Sequence, residues 1–325
     1  MRPFESIEFC AGAGGQALGL ERAGFRHRLL VDNDAHCCQT LRLNRPEWHV
    51  LHQNMQEVQN LPFRNIDLFA AGLPCPPFSV AGKQLGEKDE RNLFEDALRL
   101  IAETTPKFVL IENVRGFLAP TFAEYRDSLR LRLADLGYAV DWRLFQASDF
   151  GVSQLRPRVA IVAARDNYWQ NFRFPSPLSK RPKSVGEVLL DLMAENGWAD
   201  AASWAKKADD IAPTIVGGSK KHGGPDLGPT RARLAWEKLG VNGSTVADAA
   251  PLADHQGLPR LTTKMVARLQ GFPDEWRFFG KKTNAYRQIG NAFPPPVAEA
   301  LGRCIRSAII ATENQSAVQV AMAAE

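Results

Sequence analysis

The 325-residue chain has no apolar run long enough to cross a bilayer. Its first residues, Met1-Arg2-Pro3-Phe4-Glu5, lack the basic-then-apolar pattern of a secretory signal. Cysteine is sparse and scattered, at Cys10, Cys37, Cys38, Cys75 and Cys304. The number is odd, and no pair has a metal-ligand spacing matched by a second pair. A disulfide framework and a zinc site are therefore not expected, and a reducing, cytoplasmic setting is. Charge of one sign is scarce too. Forty Lys and Arg against 36 Asp and Glu leave a net +4, with a pI near 8.8. That permits a polyanionic partner without requiring one. Internal repeats are absent, and the only low-complexity stretch is the alanine-rich tail, residues 313–325, expected to fray. What is present is a globular composition, 45% hydrophobic and 23% charged, in a chain long enough for one large domain or two.

The first 165 residues alternate strand and helix patterns. Ser6-Ile7-Glu8-Phe9-Cys10-Ala11 reads as a strand that runs into Gly12-Ala13-Gly14-Gly15, followed by helical periodicity through Leu18, Leu20 and Ala23. Strand, glycine turn and helix let a backbone approach a ligand closely. A second strand, Leu29-Leu30-Val31, ends in Asp32-Asn33-Asp34. An acidic residue there is where α/β folds bind a ribose diol. The turn lacks the last glycine of the dinucleotide fingerprint, which disfavours a pyrophosphate ligand. Residues 35–44 read as a helix, and a third short strand near His49 to His52 leads to Asn54-Met55.

The stretch that organises the chain is Gly72-Leu73-Pro74-Cys75-Pro76-Pro77-Phe78-Ser79. It follows an apolar strand, and two prolines fix the backbone around the thiol. An inert cysteine in a proline-rich turn is the plain alternative. The following segment, through Gly82, Gly86 and the charged residues 87–91, has the makings of a lid. Phe108-Val109-Leu110-Ile111 reads as a central parallel strand ending in Glu112-Asn113-Val114. A carboxyl at such a strand tip, beside an apolar site, is a candidate acid with a raised pKa. Arg156 and Arg158 alternate in the extended segment Gln154-Leu155-Arg156-Pro157-Arg158, so they are expected to point the same way.

From about Asp166 the alternation is lost and prolines, glycines and tryptophans rise. Lys220, Lys221, Arg231 and Arg233 lie among glycine pairs, a pattern suited to phosphate contact or simply to solvated loops. Helical periodicity returns at 260–267. The segment Tyr286-Arg287-Gln288-Ile289-Gly290-Asn291-Ala292-Phe293-Pro294-Pro295 then leads into a helix expected over 297–312.

Taken in order, CAGAGG, Asp32, GLPCPPFS, ENV, QLRPR and RQIGNAFPP resemble the motifs of bacterial DNA (cytosine-5) methyltransferases of restriction-modification type. The resemblance covers nearly the whole chain. It implies an α/β, Rossmann-like S-adenosylmethionine-dependent fold with a mostly parallel central sheet. The catalytic domain would be discontinuous, 1–165 and 259–325, with a smaller irregular target-recognition domain at 166–258. Cys75 matches the nucleophile that adds to carbon 6 of a flipped cytosine, Glu112 the carboxyl at ring nitrogen 3, and Arg158 the arginine at the carbonyl oxygen, with Arg156 its neighbour. Cofactor contacts are implied at Cys10, Ala11, Gly12, Gly14, Gly15, Asp32, Asn33, Asn54, Met55, Pro74, Leu93 and Asn291, and DNA contacts at Ser79, Lys83, Arg91, Lys220, Lys221, Arg231 and Arg233. The chain departs from the family where Cys10 replaces phenylalanine, Asn54 aspartate and Pro76 glutamine. The implied partners are double-stranded DNA and a functionally paired endonuclease, for a cytoplasmic, nucleoid-associated monomer without a metal. A tRNA cytosine-5 methyltransferase and a non-catalytic DNA-binding homologue are the alternatives. The first would carry a Cys-Phe-Thr segment after the variable region, which is absent. The second would have lost Cys75, Glu112 or Arg158, and all three are present.

Overall fold

The structure is a computed structural model that describes residues 2–74, 93–217 and 224–323. Among these residues seven strands form one sheet: β1 (Phe4–Phe9), β2 (Phe25–Asp32), β3 (Val50–His52), β4 (Leu68–Gly72), β5 (Phe108–Val114), β6 (Tyr138–Gln146) and β7 (Pro157–Arg165). Their spatial order is β3-β2-β1-β4-β5-β7-β6. All neighbours are parallel except β7, which runs antiparallel to both β5 and β6. The helices are α1 (Gly15–Arg22), α2 (Ala35–Asn44), α3 (Phe94–Thr104), α4 (Ala123–Asp135), α5 (Asp166–Trp169), α6 (Val185–Met193), α7 (Ala201–Lys207), α8 (Thr230–Lys238), α9 (Thr263–Gln270), α10 (Lys282–Asn291) and α11 (Pro295–Ala323). The expected mostly parallel α/β sheet is thus present.

Successive side chains of a strand face opposite sides, and both sides of this sheet are covered. Ile7, Phe9, Phe69, Val109, Ile111 and Ile161 pack under Ala97 and Ile101 of α3 and Leu129 and Leu133 of α4. Phe4, Leu68, Ala70, Leu110 and Val162 pack under Leu20 of α1 and Leu301, Ile305 and Ile309 of α11. This double burial explains why the central strands read as continuous apolar runs.

Three boundaries differ from the expectation. The C-terminal helix does not stop near 312 but continues to Ala323. Its extension is tied down. The carboxylate of Glu313 pairs with Lys107 and, at 3.0 Å, with Arg2, and Asn171 donates to Gln315 at 3.0 Å. Arg2 and Lys107 also grip the buried Asp67. Burial alone would raise the Asp67 pKa, but those partners hold it below the usual carboxylate range. Second, the chain just after Asp166 packs on the sheet: the Phe172 ring lies 5.7 Å from Phe108, and Phe174 lies 5.9 Å from Phe145. Third, the region after residue 180 is more regular than its glycine and proline content suggested. Helices α6 to α8 carry Leu189, Trp204 and Trp236 into a cluster shared with Met265 of α9 and Ile289 of α10. Residues on both sides of the expected 258/259 boundary contribute to this cluster.

His27 is an internal polar group with a defined protonation state. Its Nε2 lies 2.8 Å from the Ala17 carbonyl and its Nδ1 2.9 Å from Ser6 Oγ. A carbonyl only accepts, so Nε2 carries the proton and the serine hydroxyl donates to Nδ1. Burial lowers the imidazole pKa to about 4. A depressed pKa contributes stability that is present above the unfolded value, near 6.5, and is lost as pH falls toward 4. Glu8 and Glu112, both pushed up by burial, act in the opposite sense. The expectation therefore concerns a difference. Between pH 7 and pH 5, urea denaturation should show wild type losing about 2 kcal/mol relative to His27→Gln. Parallel pH profiles for the two proteins would exclude a buried neutral His27.

Candidate active site

The carboxyl ends of β1, β2, β4 and β5 lie side by side. At the end of β1 the chain turns through Cys10 and Gly12, at φ values of 52° and 54°. Positive φ is easy for glycine and costly for a residue with a Cβ, so Cys10 is held there by its surroundings. The Ala11 N–H donates to Val31 at 3.1 Å, and Gly12 N–H donates to Asp32 Oδ2 at 2.8 Å. Asp32 also accepts from Asp34 N–H at 2.8 Å, through Oδ1. The carboxylate at the end of β2 is therefore locked against the glycine turn at the end of β1. Among the described residues, a Cβ on Gly12 would find no atom within 4 Å. Gly14 caps α1 at a φ of 83°. Gly15 is different: a Cβ there would strike the Phe293 carbonyl, so this glycine serves packing against the chain before α11. Burial, reinforced by Asp32 and Glu8, pushes the Cys10 thiol well above its ordinary range, which keeps it neutral.

The remaining expected cofactor positions divide. Leu93 caps α3 and is partly buried against the sheet core. Pro74 is exposed just past β4, and Asn33 is exposed beside β2. Asn54 caps a short 3-10 turn, accepting from Gln56 N–H at 3.3 Å, and Met55 is buried in the core with Phe9 and Val31. Asn291 ends α10, is exposed, and lies against Gly217. Trp276, which carried no recognisable signal, donates from Nε1 to the Ala13 carbonyl at 3.1 Å and so braces the glycine turn.

Glu112 and Arg158 come together because β7 is reversed. In the β5–β7 ladder Glu112 stands opposite Ala160 and Val114 opposite Arg158. Arg158 is thus a diagonal neighbour on the same face, within reach of a long side chain. Its Nε lies 2.7 Å from Glu112 Oε1. The contact is a close, buried ion pair. Burial raises the Glu112 pKa; the Arg158 charge, and behind it that of Arg156, lowers it without cancelling the rise. A buried carboxyl that stays proton-rich beside a guanidinium can donate to a neutral ring nitrogen while the guanidinium binds an adjacent oxygen.

Arg156 has other work. Both arginine charges bear on Glu112, but Arg156 is fully buried and its donors reach the carbonyls of Ile215 (2.7 Å), Gly290 (2.7 Å) and Ala292 (3.0 Å). These carbonyl contacts give Arg156 a structural role beside its charge effect on Glu112. Arg231 and Arg233 are exposed, but on helix α8 rather than on a glycine-rich loop. Cys75, Ser79, Lys83, Arg91, Lys220 and Lys221 lie outside the described residues.

A sheet in this order with one reversed strand, a glycine turn at β1 and a carboxylate at the tip of β2 has the Rossmann-like architecture of S-adenosylmethionine-dependent methyltransferases. The solved structure of S. pombe Dnmt2 methyltransferase shares the fold, with a TM-score of 0.64 at 19% identity, over 92% of this chain and 97% of that one. Within that class, the model of the C-5 cytosine-specific DNA methylase family matches residues 4–307, and the chain belongs to that family. It is 51% identical to the Type II methyltransferase M.NgoMIV of Neisseria gonorrhoeae, over 94% of this chain and 98% of the relative. It is 53% identical to the Type II methyltransferase M.NaeI of Lentzea aerocolonigenes, over 95% and 76%. The protein is a Type II DNA (cytosine-5-)-methyltransferase, and DNA is its substrate.

The two glycines of the turn should separate in their effects. Gly15→Ala should lower the melting temperature by several degrees, as overpacking against backbone costs about 1–3 kcal/mol. Gly12→Val should raise the KM for the methyl donor at least tenfold and also cost about 1–3 kcal/mol of stability, because its positive φ strains a residue with a Cβ, whereas Gly15→Ala should leave that KM within about threefold. The reverse assignment in steady-state kinetics would remove Gly12 from the donor site.

Proposed function

We propose that the chain methylates carbon 5 of a cytosine extruded from duplex DNA, through a covalent adduct at Cys75, with S-adenosyl-L-methionine as donor. The observation that carries this reading is the register of the sheet. Gly72, the last residue of β4, pairs with Glu112, while Ala71 pairs with Phe9 just before the glycine turn. The strand that leads to Cys75 thus runs between the donor turn and the acid–guanidinium pair. Cys75 follows Gly72 by three residues, and three peptide units reach at most about 10 Å.

The residues present fit the donor. Among the described residues nothing crowds the face of Gly12, and the Asp32 carboxylate, held by two backbone N–H groups at the tip of β2, is the group type a ribose diol donates to. Gly12, Asp32, Asn33, Asn54 and Leu93 would hold it, with Pro74 at the rim. When bound, it supplies an electrophilic methyl group on a sulfonium. The protein groups do the rest. Cys75 thiolate adds to carbon 6, which makes carbon 5 nucleophilic. Glu112 supplies a proton to nitrogen 3 as negative charge develops, and Arg158 holds the carbonyl oxygen. After carbon 5 has taken the methyl group, loss of its proton restores the double bond and expels the thiolate. Pulling the base from the stack costs a few kcal/mol, a role for a closing segment at 79–91. A paired restriction endonuclease would make the modification protective, as the Type II names of the relatives suggest. The tRNA reading is less well supported. The Cys-Phe-Thr segment it calls for is absent, and the chain is more than 50% identical to Type II methyltransferases.

Cys75→Ser should abolish methyl transfer while duplex binding persists, and DNA carrying 5-fluorocytosine should trap a covalent complex whose adduct mass spectrometry places on Cys75. Near-normal turnover by the serine variant would defeat the nucleophile assignment. Glu112→Gln should lower kcat by about 10²–10⁴, the usual contribution of a positioned acid. Because burial raises the Glu112 pKa, the protonated form persists above the ordinary carboxylate range, and kcat should fall as pH rises through that value. The glutamine variant should lack this limb; if it retains the wild-type pH profile, another group supplies the proton.

A further inference from the structure

Residues 153–156 do more than lead into β7. Gln154 and Arg156 grip both backbone groups of a single distant residue. Ile215 N–H donates to Gln154 Oε1 at 2.8 Å, and Arg156 Nη1 donates to the Ile215 carbonyl at 2.7 Å. Backbone pairing runs alongside, with Ala212 N–H donating to Ser153 O at 3.0 Å and Leu155 N–H to Ala212 O at 2.7 Å. Residues 212–215 are therefore laid along 153–156 like a short extra strand.

The other side of the same side chains reaches the opposite part of the molecule. Arg156 Nη2 donates to Gly290 O at 2.7 Å and Ala292 O at 3.0 Å, at the end of α10. Gln154 Nε2 donates to Gln270 Oε1 at 2.6 Å, and Gln270 Nε2 donates to Ala292 O at 2.6 Å. Gln154, Arg156 and Gln270 are each 0% exposed, so no water competes for these bonds. Just beyond Ile215, Gly217 meets α10 backbone to backbone. A Cβ on Gly217 would lie 2.5 Å from the Arg287 carbonyl, and one on Gly290 would collide with Gly217 itself. Two glycines and one guanidinium thus join the segment at 212–217 to the end of α10 without slack. Only arginine presents donors in a planar fork able to hold three carbonyls at once.

We infer that Arg156, with Gln154 and Gln270, is a positioning residue that couples the 212–217 segment to the Glu112–Arg158 pair, so that both the rate and the site selectivity of methyl transfer depend on how that segment is held. The argument is one of connection. Arg158 stands two residues along the same strand from Arg156 and touches Glu112 at 2.7 Å. One five-residue rail, 154–158, therefore holds Arg158 at one end and the 212–217 segment, within the expected target-recognition region, at the other. If the grip slackens, the acid pair remains but its placement no longer depends on how the segment lies. The inference rests on the proposed role of Glu112 and Arg158.

The test expresses wild type, Arg156→Lys, Gln270→Met and Arg158→Ala in cells without their own cytosine-5 methylation, followed by bisulfite sequencing of the host genome. Wild type should mark one sequence motif, and Arg158→Ala should mark none. A wild type that marks no cytosine, or a fully active Arg158→Ala, defeats the active-site reading rather than this inference. Arg156→Lys keeps the charge but can serve fewer carbonyls. It should fold, keep its donor KM within about threefold, lower kcat at least tenfold, and raise the ratio of near-match to motif methylation at least tenfold. Gln270→Met, remote from β7, should shift that ratio in the same direction. An unchanged ratio in both variants, at whatever overall activity, overturns the inference. So does a lysine variant that is unfolded at 25 °C, because the role would then be stability alone.

Discussion

Glu112 keeps a carboxyl group inside the protein interior, 2.7 Å from a guanidinium, and the surrounding sheet is arranged so that this is tolerable. Burial raises its pKa, and the charges of Arg158 and Arg156 act against that rise. The charge is close enough to restrain the rise in pKa but is not placed to abolish it. That balance depends on one topological fact, the reversal of β7. A parallel β7 would present a different register and send the residue at 158 away from the tip of β5.

The same sheet edge organises the donor side. Asp32 is fixed by the N–H groups of Gly12 and Asp34, so its carboxylate is rigid before any ligand arrives. Preorganisation of this kind lowers the ordering cost of binding. Between the donor turn and the acid pair runs β4, in register with both. Three neighbouring strands therefore bring a carboxylate and an acid–guanidinium pair to either side of the strand that leads to the thiol. The Type II methyltransferase chemistry of the family needs that juxtaposition.

The region after residue 180 shares its core with α9 and α10 through Trp236, Met265 and Ile289. With the polar seam at Gln154, Arg156 and Gln270, it is joined to them by buried hydrogen bonds, which are costly to leave unmade, rather than by surface contacts that solvent can replace.

The alternation of strand and helix, the glycine turn, the acid ending β2 and the apolar run into Glu112 were all legible in the chain, because each depends on local period and local turn chemistry. The motifs that hold the three groups proposed for catalysis are short and contiguous, and so could be picked out by their resemblance to the family. Partners separated by more than a hundred residues were not legible. Arg156 and Arg158 look alike in an extended segment, yet one meets Glu112 and the other meets carbonyls 59 to 136 residues away. The tail looked ready to fray because alanine-rich composition does not reveal that Lys107 and Arg2 wait for Glu313. Periodicity and composition determined the elements, and short motifs marked the groups proposed to react; the pairing of side chains with distant backbone was decided only by the packed fold, since a hydrogen bond across it depends on where two strands stop and which face each presents.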